Sequence, residues 1–477
     1  MLLMEANRRH LRCLLLERDD FGSATSFNWL RILHGGFRYL QTVNLRRFRE
    51  SVSERSWFIR TFPDLVQPLP CLMPLYGKGL KRPYVLRIAS KINDWLSHSR
   101  NDGLEKDKIL PNGKVISATE TLKLATGIRS AGLKGGVIWY DALMPDSQLL
   151  IKTVLKWATD QKAVVLNYMS AESLQQTDGN VSGVFARDRE TGKRHLFSAP
   201  CVVNTTGPWS RRVAATFHKD IPSLFHYSKA WNVWFKRNAV SKCGLALTPD
   251  RPGARTYFLV PWKERLVIGT GHAACATPDR HGKPALSELK NFIDDINDVL
   301  PDLHLSINDV QYIFSGLLPA DTPNTDKLAV HEVIVDHSKE GGVKGLYSVS
   351  GVKFTTARLV AKKVLQKIFP TKKQVATVDK KTFERYLKES HHLAGKGDGT
   401  PLQELSVNLN NFTKIAKTEA VVHLDDLIFR RTNLWEKQDL ALQIAKELTT
   451  TMNWNEHKAN KELLRLQSAL DVTRKFE

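Results

Sequence analysis

The sequence predicts an α/β fold: an incomplete parallel βαβ unit, an antiparallel sheet domain in the middle of the chain, and a small α-helical domain at the C-terminus. Three observations carry this expectation. Helical residues are followed by the apolar run Cys13-Leu14-Leu15-Leu16 and an acid, Glu17, the pattern of a buried strand with a polar end. Residues 230–236 alternate as Ala-Trp-Asn-Val-Trp-Phe-Lys, and further strand-like runs follow. Beyond residue 370 lysines become dense and apolar residues fall at helical spacing.

Taken in order, residues 1–12 read as a helix, with Leu2, Leu3, Ala6 and Leu11 set among charged residues. After the 13–16 strand come a Gly/Ser/Thr-rich loop, Phe21 to Ser26, and a helical stretch around Leu30 to Phe48. A helix over 149–159 leads to the apolar run Val164-Val165-Leu166. Residues 181–186 and 195–197 read as short strands around the turn Thr191-Gly192. Cys201-Val202-Val203-Asn204 is another buried strand and runs into Thr205-Thr206-Gly207-Pro208-Trp209. Strands over 256–260 and 266–268, a helix over 286–299, a strand at Tyr347-Ser348-Val349 and a helix over 355–368 complete the main region. Residues 391–400 have the composition of a flexible linker, and Leu424, Leu427, Ile428, Leu440, Leu442, Ile444 and Ala445 mark helices beyond it.

Composition narrows the function classes. The 477 residues are 42% hydrophobic, 9% aromatic and 25% charged, an ordinary globular balance that excludes disordered, collagen-like and coiled-coil chains. No apolar run approaches the ~20 residues of a membrane-spanning helix, and residues 1–9 lack the apolar segment of a signal peptide. The five cysteines are scattered and never spaced as CxxC. They predict neither a disulfide framework nor a metal site, and point to a reducing, cytoplasmic compartment. The net charge of +21 suits a nucleic acid, an anionic membrane face or an anionic ligand. It is spread along the whole chain without a nucleic-acid motif, so a solvated basic surface ranks first, peripheral membrane contact second, and nucleic acid is not expected.

The chemistry starts at Glu17. Helix, apolar strand and terminal acid form the second half of a dinucleotide-binding βαβ unit, where the acid binds ribose hydroxyls. Taken alone, such an acid is more often a surface residue after a core strand. Its surroundings shift the weight. Residues 17–26 (ERDDFGSATS) followed by 33–40 (LHGGFRYL) resemble the N-terminal signature of the FAD-dependent glycerol-3-phosphate dehydrogenase family, within the D-amino-acid-oxidase-like flavoproteins. Further segments resemble the family in the same order: Trp139-Tyr140-Asp141-Ala142, Val203 to Trp209, Val260-Pro261-Trp262 with Ile268-Gly269-Thr270, Ser315 to Pro319, Ser348 to Arg358, and Asp425 to Thr432. The similarity covers nearly the whole chain.

The resemblance implies a Rossmann-like FAD-binding domain, an antiparallel substrate domain and a helical C-terminal domain. It divides residues 1–375 into FAD-binding segments near 1–60, 140–215 and 340–370 and substrate segments near 61–139 and 216–339, with the helical domain over 400–477. It implies FAD contacts at Glu17, Arg18, Thr25, Ser26, Gly35, Gly36, Val165, Thr206, Gly207, Trp209, Gly351, Lys353 and Thr355. Gly207 would let backbone approach a pyrophosphate. Gly35 and Gly36 would leave room for a flat isoalloxazine. The helix start after Lys353 would face the flavin oxygen that becomes anionic on reduction.

Two departures stand out. The GxGxxG loop is absent; by spacing it falls upstream of Met1, which predicts a chain truncated at its N-terminus relative to the family, with weakened FAD binding. Leu318 and His331 stand where the family places two arginines that hold glycerol phosphate, whereas His34, Arg38, Tyr39 and Lys353 remain. The expected reaction oxidises a C–H next to an O–H, with hydride passing to flavin N5 and with His34, Arg38, His331 and Lys353 as catalytic candidates. The expected substrate is a small alcohol, phosphorylated or otherwise anionic, and not necessarily glycerol-3-phosphate; the electron acceptor is quinone or oxygen. The alternatives are an amine or amino-acid oxidase of the same superfamily and an inactive remnant acting as a binding protein.

Overall fold

Alternation along the strands decides where the main sheet sits. In residues 226–238, Trp231, Val233 and Phe235 enter one apolar cluster, with Leu245, Leu259 and Ile268. Trp234 enters a second, with Met73, Val260, Val267 and Phe314. A period of two sends successive side chains to opposite faces, so the sheet is buried on both. Helix Leu286–Val299 covers the first face through Leu289, Phe292, Ile293 and Ile296. The C-terminal helices cover the second through Leu427, Ile428, Phe429, Trp435 and Ile444.

The structure is a computed structural model that describes residues 1–37, 39, 44–77, 82–276, 282–351, 353–374, 381–387 and 409–471. Arg38 and the linker 391–400 lie outside the described residues.

The main sheet has nine strands. Its order is β15 (Val310–Ala320), β11 (His226–Asn238), β14 (Arg265–Ala274), β13 (Tyr257–Trp262), β12 (Gly244–Leu247), β3 (Gln67–Leu75), β5 (Gly135–Leu143) and β2 (Ile32–Leu33), with β4 (Lys114–Ile116) on β5. A hairpin sheet joins β7 (Met169–Thr177), β8 (Asn180–Asp188) and β9 (Arg194–Ser198), and its turn holds Gly192 at φ +72°.

Parallel pairing occurs in two smaller sheets. β1 (Leu14–Leu16) lies parallel to β6 (Val164–Leu166), and β10 (Val202–Asn204) lies parallel to β17 (Leu346–Ser350), with β16 (Val333–Asp336) antiparallel beyond it. Helix Leu2–Asn7 packs on helix Ala357–Ile368 and on helix Ser147–Asp160. No described helix is long and apolar enough to cross a membrane.

Two sequence expectations are corrected. The helical stretch around Leu30 to Phe48 is not one: Ile32 and Leu33 pair with Leu143 and Ala142, and the helix starts at Leu45 and runs to Thr61. Gly36 at φ +88° breaks any helix there, and the Asn44 side chain caps the later start by accepting from the Arg47 N–H. The 13–16 strand is also less buried than its apolar run suggests, with Leu14 38% exposed. Its sheet partner is β6, and its other edge carries no strand among the described residues.

Candidate active site

The carboxyl ends of the parallel strands meet at one crevice. Glu17 follows β1, and the Asp19 N–H donates to its Oε1 at 3.0 Å; burial raises its carboxyl pKa. The Arg18 guanidinium lies 4.9 Å from the centre of the Trp209 ring, which follows β10. At the opposite ends of the same strands, the Cys13 thiol acts electrostatically on Cys201, whose pKa burial has already raised. β1 and β10 therefore run side by side in one direction, and their carboxyl ends open on the place where α/β sheets bind ligands. Val165, beside Leu15 in β6, belongs to the same parallel pair.

The turn after β10 is fixed from behind. The Thr206 N–H and hydroxyl both donate to Asn204 Oδ1, at 3.2 and 2.7 Å. Asn204 Nδ2 donates to Ser348 Oγ at 3.0 Å and to the Ser210 carbonyl at 2.8 Å. Gly207 follows at φ +57°, with no atom within 4 Å of where a Cβ would stand, and helix Ser210–Phe217 begins just beyond. The Ser210 and Ser350 hydroxyls are buried without a hydrogen-bond partner. Open space over a left-handed glycine, a helix start, two orphaned hydroxyls and a strand-end acid suit the ribose and pyrophosphate of a dinucleotide such as FAD.

The second half of the site is built on helix Leu45–Thr61 and β5. His34 Nδ1 lies 3.0 Å from Asp141 Oδ2, and the Gly35 N–H donates to Asp141 Oδ1 at 2.6 Å. Arg55 donates to Asp141 Oδ1 at 3.3 Å and to the Tyr140 carbonyl at 2.6 Å; Trp139 Nε1 donates to Asp141 Oδ2 at 3.3 Å. Burial opposes the Asp141 charge, but the His34, Arg55 and Gly35 contacts outweigh it and hold the carboxyl below the usual range. The His34 side chain is 50% exposed. A carboxylate on Nδ1 leaves Nε2 as the free acceptor, the tautomer a general base needs.

Lys353 Nζ donates to the Tyr39 hydroxyl at 2.8 Å. It directly precedes the turn Phe354–Thr356, which carries Thr355 and opens helix Ala357–Ile368. Tyr39 in turn lies against Gly36. The structure therefore brings Lys353 to the His34-Gly35-Gly36 segment. His331 takes a different place. Its Nδ1 lies 3.0 Å from Arg47 Nη2, inside a cluster in which Arg47 and Lys363 are both paired with Glu50 and Glu332. Its carbonyl lies 2.6 Å from where a Cβ of Gly351 would stand. Thr25 packs beside Gly316 of β15, Ser26 is exposed, and Leu318 is half-buried opposite Ser228.

Gly35 has a further reason to be glycine. A Cβ there would stand 1.8 Å from Arg55 Nη1, so its lack of a side chain already serves the packing of Arg55 under Asp141. Asp141 and Arg55 were not candidates in the sequence reading. Their signal was an acid inside Val137-Ile138-Trp139-Tyr140-Asp141-Ala142-Leu143, an apolar strand in which a buried carboxylate must be paired.

Comparison with known proteins agrees with this layout. Residues 2–367 match the family described as FAD dependent oxidoreductase. A glycerol-3-phosphate dehydrogenase from Synechocystis sp. is 29% identical over 381 residues, covering 76% of this chain and 66% of the relative. One from Mycobacterium leprae is 30% identical over 362 residues, covering 75% of this chain and 59% of the relative. The chain thus spans less than two thirds of the length of these curated relatives. Among solved structures, a glycerol-3-phosphate dehydrogenase from Bacillus halodurans complexed with FAD superposes with a TM-score of 0.71 at 20% identity, over 100% of this chain and 93% of that one. An L-proline dehydrogenase from P. horikoshii gives 0.55 at 15% identity, over 81% of this chain and 94% of that one.

Proposed function

This chain belongs to the FAD-dependent oxidoreductase family, and from that premise we propose that it is a dehydrogenase oxidising a C–H bond next to an O–H in a small anionic alcohol. Glu17, Arg18, Val165, Thr206, Gly207 and Trp209 hold the nucleotide half of FAD. Thr25, Ser26, Gly35, Gly36, Gly351, Lys353 and Thr355 line its flavin end. When bound, FAD supplies the two-electron acceptor. His34 Nε2 takes the hydroxyl proton, and Asp141 steadies the imidazolium that forms. The Lys353 ammonium, held by Tyr39, offsets negative charge that develops at the reacting end.

The His34–Asp141 contact carries this reading, because it prepares a neutral imidazole as a base on a half-exposed side chain. The substrate differs from glycerol-3-phosphate in its demand for cations. Leu318 supplies none, and His331 is engaged with Arg47. Quinone or oxygen takes the electrons onward. The +21 charge supports a cytoplasmic protein in peripheral contact with an anionic membrane face. The division into FAD-binding, substrate and C-terminal helical domains at the boundaries given above belongs to the same proposal.

The test is anaerobic bleaching of the FAD-loaded protein. Small anionic alcohols are expected to bleach it, and His34→Asn to slow bleaching without loss of FAD. Bleaching by amino acids alone would make it an amine oxidase. Protein that stays colourless with added FAD would make it a binding protein.

A further inference from the structure

Helix Pro83–Leu96 leaves an apolar stripe uncovered. Leu86 and Ser90 face inward, while Tyr84, Ile88, Ile92 and Trp95 are 57%, 57%, 46% and 74% exposed. Their spacings of four, four and three residues place them on one side of the helix. Arg87 and Lys91 are exposed beside them. Scattered exposed apolar residues need no explanation, but four in line on one helix do.

The stripe ends at a cationic pocket. Trp95 and His98 line a cavity of about 630 Å³ with Arg49 and Arg60, and Asp102 is its one acid. Arg49 and Arg60 are exposed and lie eleven residues apart on one face of helix Leu45–Thr61. Neither makes an ion pair among the described residues. Arg100, also in the lining, is tied to Asp94 at 3.3 Å.

We propose that this face, the Tyr84–Trp95 stripe with the Arg49/Arg60 pocket, is where the protein rests on an anionic phospholipid surface. The proposal rests on the peripheral contact inferred above and assigns it a place. Apolar side chains enter the headgroup boundary, and the two arginines take a lipid phosphate. Charge favours lipid over a second copy of the chain. An isologous contact through this face would set Arg49, Arg60, Arg87 and Lys91 against their own equivalents.

The experiment is co-sedimentation of the full chain with phosphatidylglycerol–phosphatidylcholine vesicles and with phosphatidylcholine alone. Binding is expected only to the anionic vesicles. The double variants Ile88→Glu/Trp95→Glu and Arg49→Gln/Arg60→Gln are each expected to lose about tenfold in binding while keeping the unfolding midpoint and FAD content of the parent. Parent binding with both variants unaffected would overturn the assigned face and leave the peripheral contact standing. No binding by the parent would overturn both. Vesicle binding unchanged while Ile88→Glu/Trp95→Glu dissociates a dimer would make the face a self-association surface. Binding of inorganic phosphate lost in Arg49→Gln/Arg60→Gln, with vesicle binding kept, would make the pocket a site for free phosphate.

Discussion

Asp20 and Arg431 stand 411 positions apart and form a buried two-pronged ion pair, Nη1 to Oδ2 at 2.8 Å and Nη2 to Oδ1 at 2.7 Å. Arg430 adds a third contact to Asp20 at 2.5 Å and also pairs with Asp425 at 2.9 Å. Asp20 lies three residues beyond Glu17, so the C-terminal helices clamp the segment that carries the nucleotide acid. Asp20→Asn is expected to lower stability by about 3 kcal/mol, since it leaves two buried guanidinium groups short of a carboxylate. Urea unfolding measures this, and a loss below about 1 kcal/mol would mean the pair is solvated. Amide exchange over 409–418 should quicken in the variant.

Acid should weaken the fold in two stages. His337 is fully buried, 2.9 Å from Ser348 Oγ and 3.2 Å from His218, and burial followed by the His218 charge lowers its pKa to about 4. A depressed folded value means its contribution is complete above the unfolded value near 6.5 and is lost as pH falls toward 4. The Asp20 carboxyl, which burial would raise, is held down at about 2 by Arg431 and Arg430, so its contribution is lost from about pH 4 toward 2. Chemical unfolding at pH 7, 5 and 3 should show both steps, and His337→Gln should flatten the first.

Asp141 orients His34, so Asp141→Asn should slow substrate-driven flavin reduction by about a hundredfold with FAD retained. The lost carboxylate also destabilises the imidazolium, which moves the acidic limb of the kcat/KM profile to lower pH. An unmoved profile would make Asp141 a packing residue only.

Lys353→Met should slow flavin reduction by about one to three orders of magnitude and lower the flavin midpoint potential. Tyr39→Phe removes only the hydroxyl that accepts from Lys353 and should have a smaller effect in the same direction. Equal rates and potentials in Lys353→Met and the parent would show the ammonium to be simply solvated.

Glycerol-3-phosphate should be a poor substrate. Two absent charge-assisted contacts, at roughly 1.5–3 kcal/mol each, weaken productive binding by roughly two to four orders of magnitude. Titration of anaerobic bleaching measures it, and half-reduction at micromolar glycerol-3-phosphate would contradict the reading of Leu318 and His331.

Local pattern alone was enough for much of this protein. The Glu17 strand end, the 286–299 helix, the Thr191-Gly192 hairpin and the parallel strands at 164–166 and 202–204 follow from periodicity and turn chemistry, which act between residues a few positions apart. The order of short segments also carried the family resemblance. Tertiary structure decided the rest. The expected helix at 30–48 lost to strand pairing with 142–143, and the acid that prepares His34 lies 107 positions away. Gly35 is required by Arg55, and His331 is drawn to Arg47, through contacts made only when helix Leu45–Thr61 packs beneath β5 and beside Glu332. Ion pairs such as Asp20–Arg431 leave no periodic trace in a sequence, because burial and partner choice depend on which distant surfaces the fold brings together.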